Sequence, residues 1–447
     1  MTIHPPLFAS QFRRLNPSDQ VLLAIDHEIR QDGNPGSNCG FALELEGALD
    51  IEALQNSLLD LQKHFPSLSS RLEQHGKTFG WKTINAPIPL IRHAATKPSA
   101  TNLEADFQHQ TLLSIINSGE PIEQAVPMDF HLIEGSQRNL LLLRWLHPLL
   151  DARGAKLIFD FLMSNNRQRY TGKDISLVEQ RLQSWSWWKK LKTAWLGKQY
   201  NDQIDQLNSA LPTLGSIGKQ QLQCINQYFD TEQTSIIISN ATLTVGMGYK
   251  SLYFIGCLMR ALHRVGMAVE NDAICVPYAF NLRQPNAPVP VLGNHVSILF
   301  SQASHTVISD RKALFIHLRE QYAQTIRHGL DYSFLPWMWV GRWMSLDKYG
   351  TVLRQQKNGG ERGSVWFSDI GEMRFASEYL FGARISGVRH LCLLTSPPSF
   401  AVLFGQFQGK LSIAYNFLQP DISLDWVNQV NAALKQELFT AENPKTK

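Results

Sequence analysis

Between residues 40 and 46 apolar side chains alternate with their neighbours (Phe41, Leu43, Leu45), and from residue 50 the period lengthens to that of a helix through Leu54, Leu58, Leu61 and His64. Asp50 stands at the N-cap position and Pro66 just past the helix end, so this stretch reads strand, turn, helix, turn. Leu140 to Leu146 is a continuous apolar run, as expected of a strand covered on both faces. It stops at His147-Pro148, because proline cannot donate to a ladder, and a helical period resumes through Ala155, Ile158, Phe159 and Leu162. His147 is thereby placed at a strand end, just before a helix.

From 181 to about 225 the texture changes to Trp, Lys, Gln and Asn, and this reads as a crossover. Beyond it a helix around Gly246 to Val265 precedes a strand at Ala273 to Pro277, with further apolar runs at Leu391 to Leu394 and Phe400 to Phe404. Glycines at 359–360 and 405–409 punctuate strand-like segments. A chain of 447 residues exceeds one ordinary core, so two lobes are expected. The pattern predicts an α/β (α+β) protein with an N-terminal lobe over 1–180, a crossover over 181–225 and a C-terminal lobe over 226–447.

Hydrophobic residues at 44% against 18% charged supply large cores. A net charge of only +4, without a run of Lys and Arg, argues against nucleic acid as a partner. Cys39, Cys224, Cys257, Cys275 and Cys392 are odd in number, scattered and lack C-x-x-C spacing, so reduced buried thiols are expected and no metal. The start, Met1 to Pro6, lacks the features of a secretory signal, and no stretch reaches the roughly 20 apolar residues of a membrane span. A cytoplasmic or membrane-peripheral location is expected.

The candidate chemistry lies in His147-Pro148-Leu149-Leu150-Asp151-Ala152-Arg153-Gly154. An H-x-x-x-[DE] spacing is weak alone: with 14 His and 38 acidic residues, about one match arises by chance. Imidazole titrates near neutrality and can take the proton of a hydroxyl or amine as it attacks a carbonyl. With no G-x-S-x-G elbow or partner cysteine, His147 would activate the acceptor directly, without an acyl-enzyme. Asp151, just before a helix, suits an N-cap.

Four further segments accompany this motif in a telling order. Leu45-Glu46-Gly47-Ala48-Leu49-Asp50, then His64 to Leu68 with Arg71, come first; Val276 to Arg283 with Leu292-Gly293-Asn294, and Phe367-Ser368-Asp369-Ile370-Gly371, come later. Together with His147 to Gly154 the set resembles the chloramphenicol-acetyltransferase-like, condensation-domain superfamily, whose members include peptide-synthetase condensation domains, wax ester and diacylglycerol synthases and polyketide-associated acyltransferases. The resemblance implies two similar lobes in a V with an active-site tunnel between them. It also implies His147 as catalytic base, Asp151 paired with Arg283, and acyl-coenzyme A or acyl-phosphopantetheine as co-substrate, with no bound cofactor. This chain departs from the pattern at Leu146, where many relatives carry a first histidine, and at Ala152, where glycine is usual, with Gly154 following two residues on. Gly293 and Asn294 are expected to shape a turn that supports the motif, and Ser368 is a candidate donor to the developing oxyanion.

Trp187, Trp188 and Trp195 stand among Arg181, Lys189, Lys190, Lys192 and Lys198, with Trp188, Leu191 and Trp195 on one helical face. Such a helix fits a membrane interface, and packing against the protein body is the alternative. A second cluster, Trp337, Trp339 and Trp343, is expected to line the core or tunnel. The leading expectation is acyl transfer from a thioester to a hydroxyl or amine of a small-molecule or lipid acceptor, the donor held by coenzyme A or an acyl or peptidyl carrier protein, as in natural-product or lipid biosynthesis. A catalytically idle scaffold of the same fold and a thioester hydrolase are the competing readings.

Overall fold

The computed structural model describes residues 12–76, 78–84, 86–94, 101–136, 138–170, 176–212, 219–267, 272–283, 291–357 and 359–441, without the side chains of 101–104. The segment Met1 to Pro6 lies outside them.

The first lobe is built on a six-stranded sheet. Its order is Tyr379–Leu380, Ala383–Cys392, Asn38–Glu46, Arg138–Leu146, Met128–Ile133, Leu90–His93. The apolar run at 140–146 is a central strand, and its two faces feed different cores. Leu141, Leu143 and Trp145 pack with Leu54, Leu58, Ile158, Phe159 and Leu162 of the helices Ile51–His64 and Ala152–Met163. Leu140 and Leu142 pack with Leu112 and Ile116 of the helix Thr101–Ile116, in a cluster that also takes in Leu222, Ala401 and Ala414 of the other sheet. That shared apolar cluster stitches the lobes together.

The second lobe carries the order Val296–Ser304, Asp272–Asn281, Trp366–Met373, Phe400–Phe407, Lys410–Gln419, Gln221–Tyr228, with Asn208–Ser209 beside Asp272–Asn281. The helices Thr231–Val245, Lys250–Arg264 and Leu424–Phe439 bury its largest core. Asp50 caps the helix Ile51–His64 by accepting from Ala53 N at 2.9 Å, as the sequence pattern predicts.

The lobes are not the contiguous halves expected from the sequence. Ala383–Cys392, from the C-terminal stretch, pairs antiparallel with Asn38–Glu46 in the first sheet. The second lobe begins before residue 226, since Asn208–Ser209 and Gln221–Tyr228 already belong to its sheet. Ala383–Cys392 crosses because Ile385 and Val388 fill the first lobe's core while Leu391 joins the shared cluster. Local periodicity cannot say which sheet a strand will complete.

Candidate active site at the lobe interface

His147 is held by its main chain from two sides. Its N–H donates to Ser37 O at 3.0 Å, and its carbonyl accepts from Asn294 Nδ2 at 3.0 Å. Ser37 is itself fixed, its N–H and hydroxyl both donating to Asp26 Oδ1 at 2.6 and 2.9 Å. Trp145 Nε1 closes the loop by donating to Leu150 O at 2.7 Å. The imidazole is half-buried: Nδ1 is sealed from solvent without a hydrogen bond, which leaves Nε2 as the accessible nitrogen. Burial lowers the His147 pKa below its ordinary 6.5, opposed by its own carbonyl and by the charges of Asp151 and Asp26. At neutral pH the ring is therefore a neutral base. If His147 is the catalytic base, the rate profile stays level from pH 6.5 upward and falls tenfold per unit only below the depressed pKa, and a rate that rises on acidification would contradict the role.

Asp151 does both things the sequence allowed. Its Oδ1 caps the helix Ala152–Met163 by accepting from Gly154 N at 2.8 Å, while Oδ2 accepts from Arg283 Nη1 at 2.7 Å and from His295 N at 3.0 Å. Burial by itself would raise this carboxyl, but the Arg283 charge and hydrogen bond, with the two backbone donors, outweigh it and leave the pKa lowered. Arg283 also donates to Val291 O at 2.9 Å from Nε and to Gly293 O at 2.7 Å from Nη2. Gly293 has φ +108°, a conformation that favours glycine, and this turns its carbonyl toward the guanidinium. Gly154 packs closely within its own turn, since a Cβ on it would stand 3.0 Å from Leu150 Cβ, while Gly293 O of the other lobe would be in ordinary contact at 3.4 Å. The departure at Ala152 leaves the helix start regular, because Asp151 caps it.

Asn294 is fully buried and joins three segments, its Nδ2 lying 3.0 Å from both His147 O and Pro148 O and 2.9 Å from Asp19 Oδ1. It does more than shape a turn. Asp19 belongs to the capping box of the helix Pro17–Gln31, where Asn16 and Asp19 satisfy each other's backbone N–H. Burial raises the Asp19 pKa to about 7, against the pull of Arg13, Asn294 and Asn16. The Asn16-Pro17-Ser18-Asp19 signature could have revealed the cap, but not its reach to Asn294.

Ser368 is half-buried within the strand Trp366–Met373, and no contact places it beside His147. Its neighbour Asp369 accepts from Ser251 Oγ at 2.6 Å and from Gly371 N at 3.0 Å, holding a bulge at Asp369/Gly371.

Two cavities are lined by residues linked to the His147 loop, although His147 itself lines neither. One, of ≈ 540 Å³, is lined by Asp26 and His27 with apolar Leu23, Leu72, Phe79 and Trp343. The other, of ≈ 950 Å³, is lined by Ala152 and Arg283 and by Arg153, Lys156, Arg181 and Lys189. Lys156 pairs with Asp160 at 2.6 Å, whereas Arg153, Arg181 and Lys189 have no acidic side chain in salt-bridge contact among the described residues. Its acidic lining residues, Asp160 and Glu372, are paired with Lys156 and Arg374, so the cavity carries net positive charge.

The helix Trp187–Ile204 buries Thr193, Gly197, Tyr200 and Ile204 and leaves Trp187, Trp188 and Trp195 exposed at 62, 79 and 56%. It both packs on the body and presents a tryptophan face. Trp337 and Trp343 are exposed rather than in the core, although Trp343 also lines the smaller cavity.

No family model and no curated protein sequence matches the chain. Among solved structures it is similar to the trichothecene 15-O-acetyltransferase from Fusarium sporotrichioides, at TM-score 0.70 and 8% identity over 98% of this chain and 99% of that one. The first condensation domain of the CDA synthetase superposes at TM-score 0.68 and 12% identity, covering 97% of this chain and 96% of the other. Polyketide synthase associated protein 5 from Mycobacterium tuberculosis does so at 0.64 and 13%, covering 96% and 99%. Near-complete coverage in both directions at this level of superposition shows that the chain shares its overall fold with these condensation-domain and acetyltransferase structures.

Proposed function

We propose that the chain is an acyltransferase that moves an acyl group from a thioester to a hydroxyl or amine, with His147 as general base and no acyl-enzyme. The observation that carries this reading is a neutral imidazole with one accessible nitrogen, clamped through its main chain at the junction of the lobes. Nε2 would take the proton from the acceptor as it attacks the thioester carbonyl, and the imidazolium would return it to the departing thiolate or to the collapsing intermediate. Asp151 and Arg283 act as positioning residues: their pair ties the motif loop to the second lobe and leaves the imidazole free for substrate.

The positively charged cavity suits the phosphates of coenzyme A or of a carrier-bound phosphopantetheine, and the more apolar cavity suits the acceptor. The similarity to a condensation domain and to an acetyltransferase supports both kinds of donor. Incubating the protein with a panel of acyl-coenzyme A and acyl-carrier thioesters, with and without alcohols and amines, and reading products by mass spectrometry tests the assignment. Acceptor-dependent ester or amide is expected. Thiol release without acceptor indicates a hydrolase, and no consumption of any thioester indicates a scaffold. For an active coenzyme A donor, Arg153→Ala is expected to raise KM roughly two- to fivefold with kcat little changed, the worth of one exposed charge contact. An unchanged KM would move the phosphates elsewhere.

A further inference from the structure

We propose that the chain docks on anionic lipid surfaces through a composite tryptophan face made by two helices from distant parts of the sequence. The first helix is Trp187–Ile204, whose outer side shows Trp187, Trp188, Leu191 and Trp195. The second is Leu335–Gly341, whose outer side shows Trp337 and Val340, followed by exposed Trp343. The two are in contact: Trp337 Nε1 donates to Ala194 O at 2.8 Å, and Gly197 is so close to Ser333 O that a Cβ would stand 2.6 Å away. Trp337 is thereby fixed beside Trp195 as part of one continuous surface.

The chemistry of this surface selects its partner. Tryptophan favours the headgroup level of a bilayer, where the ring is apolar and its N–H stays wet. Exposed aromatic side chains in this number on a soluble face mark an interaction site. Lys189, Lys190 and Lys192 are interspersed with them, and no Asp or Glu lies between Trp185 and Lys198, although Lys198 itself is paired with Asp202 at 2.7 Å. Lysine stems can lie along the apolar ring surfaces while their ammonium groups reach anionic headgroups. Placement matters as well. Trp185 and Lys189 line the charged cavity, and Trp343 lines the smaller one. A bilayer docked here would lie beside the mouths of both, where a lipophilic donor or acceptor could pass. That last step rests on the acyl-transfer reading; the docking itself does not.

Co-sedimentation of the full chain with vesicles of phosphatidylcholine alone, and of phosphatidylcholine mixed with phosphatidylserine, tests the proposal without any turnover. Binding to the mixed vesicles, weakened by high salt, is expected, and His147→Ala should bind like the parent. Replacing Trp187, Trp188 and Trp195 together by Ala is expected to weaken partitioning roughly tenfold or more. Trp337→Ala, on the other helix, should weaken it as well. Exchanging Lys189, Lys190 and Lys192 for Gln should remove most of the salt dependence. The proposal is overturned by no sedimentation with either vesicle, or by a triple tryptophan variant that binds like the parent. It is equally overturned if the parent elutes as a dimer that the triple variant converts to a monomer, because the face is then covered by a second copy.

Discussion

His147→Ala is expected to lower acyl-transfer turnover by roughly 10²- to 10⁴-fold while the protein stays folded. The magnitude follows from the loss of the group that takes the acceptor's proton in the transition state. Retention of the fold follows from how the residue is held. Its anchors are the main-chain N–H to Ser37 O and the main-chain carbonyl to Asn294 Nδ2, and alanine keeps both. The imidazole contributes no side-chain hydrogen bond through Nδ1, so no buried partner is stranded when the ring is removed. Thermal melts by circular dichroism should therefore shift by only a few degrees, while product formation under saturating acceptor collapses. Near-normal turnover in a folded variant would remove His147 from the chemistry.

The second large effect is expected at Asp151 and Arg283, and it falls on stability before catalysis. The pair is buried with N and O 2.7 Å apart, and removing one member leaves the other's charge without its partner. Breaking such a pair costs about 3 to 5 kcal/mol. The geometry predicts an asymmetry as well. After Arg283→Gln, Asp151 still accepts from Gly154 N and His295 N, whereas after Asp151→Asn the guanidinium keeps the carbonyls of Val291 and Gly293 and the Asn281 side chain, all uncharged, near at hand. The cap to Gly154 can survive as an asparagine cap. In a double-mutant cycle by chemical denaturation, the double variant should lose much less than the sum of the singles. Simple additivity would mean that Asp151 acts only as a cap.

The same pair has a pH signature. The Asp151 pKa is lowered in the folded protein, so its contribution to stability is present above the ordinary carboxylate range and is lost as pH falls through the folded-state pKa. Asp19 has the opposite sign. Its pKa is raised to about 7, so the folded protein holds an extra proton between the two pKa values and Asp19 favours folding less as pH rises toward 7.

Much of the site was legible along the chain because its pieces are local. The strand, the break at His147-Pro148, the helix after it and the cap at Asp151 all lie within one stretch, and each follows from periodicity, proline chemistry or capping. The ordered motifs added Arg283, Gly293 and Asn294, and the structure brings all three to the His147 loop. Ser368 is not brought into contact with that loop, since its segment is a bulged strand rather than a free turn.

By itself, then, the sequence determined the mixed α/β class, the place of His147 at a strand end and the cap at Asp151, while the resemblance carried by the motif order implied the Arg283 partner. Those properties depend on near neighbours or on motif order. Only the tertiary structure decided that Ala383–Cys392 completes the first lobe's sheet, that Asn294 reaches both the His147 carbonyl and Asp19, and that Trp337 joins the face of Trp195. Each of these is a contact between segments more than a hundred residues apart in sequence. Such contacts are selected by which apolar faces and unsatisfied polar groups meet when the lobes close, and no local pattern encodes that meeting.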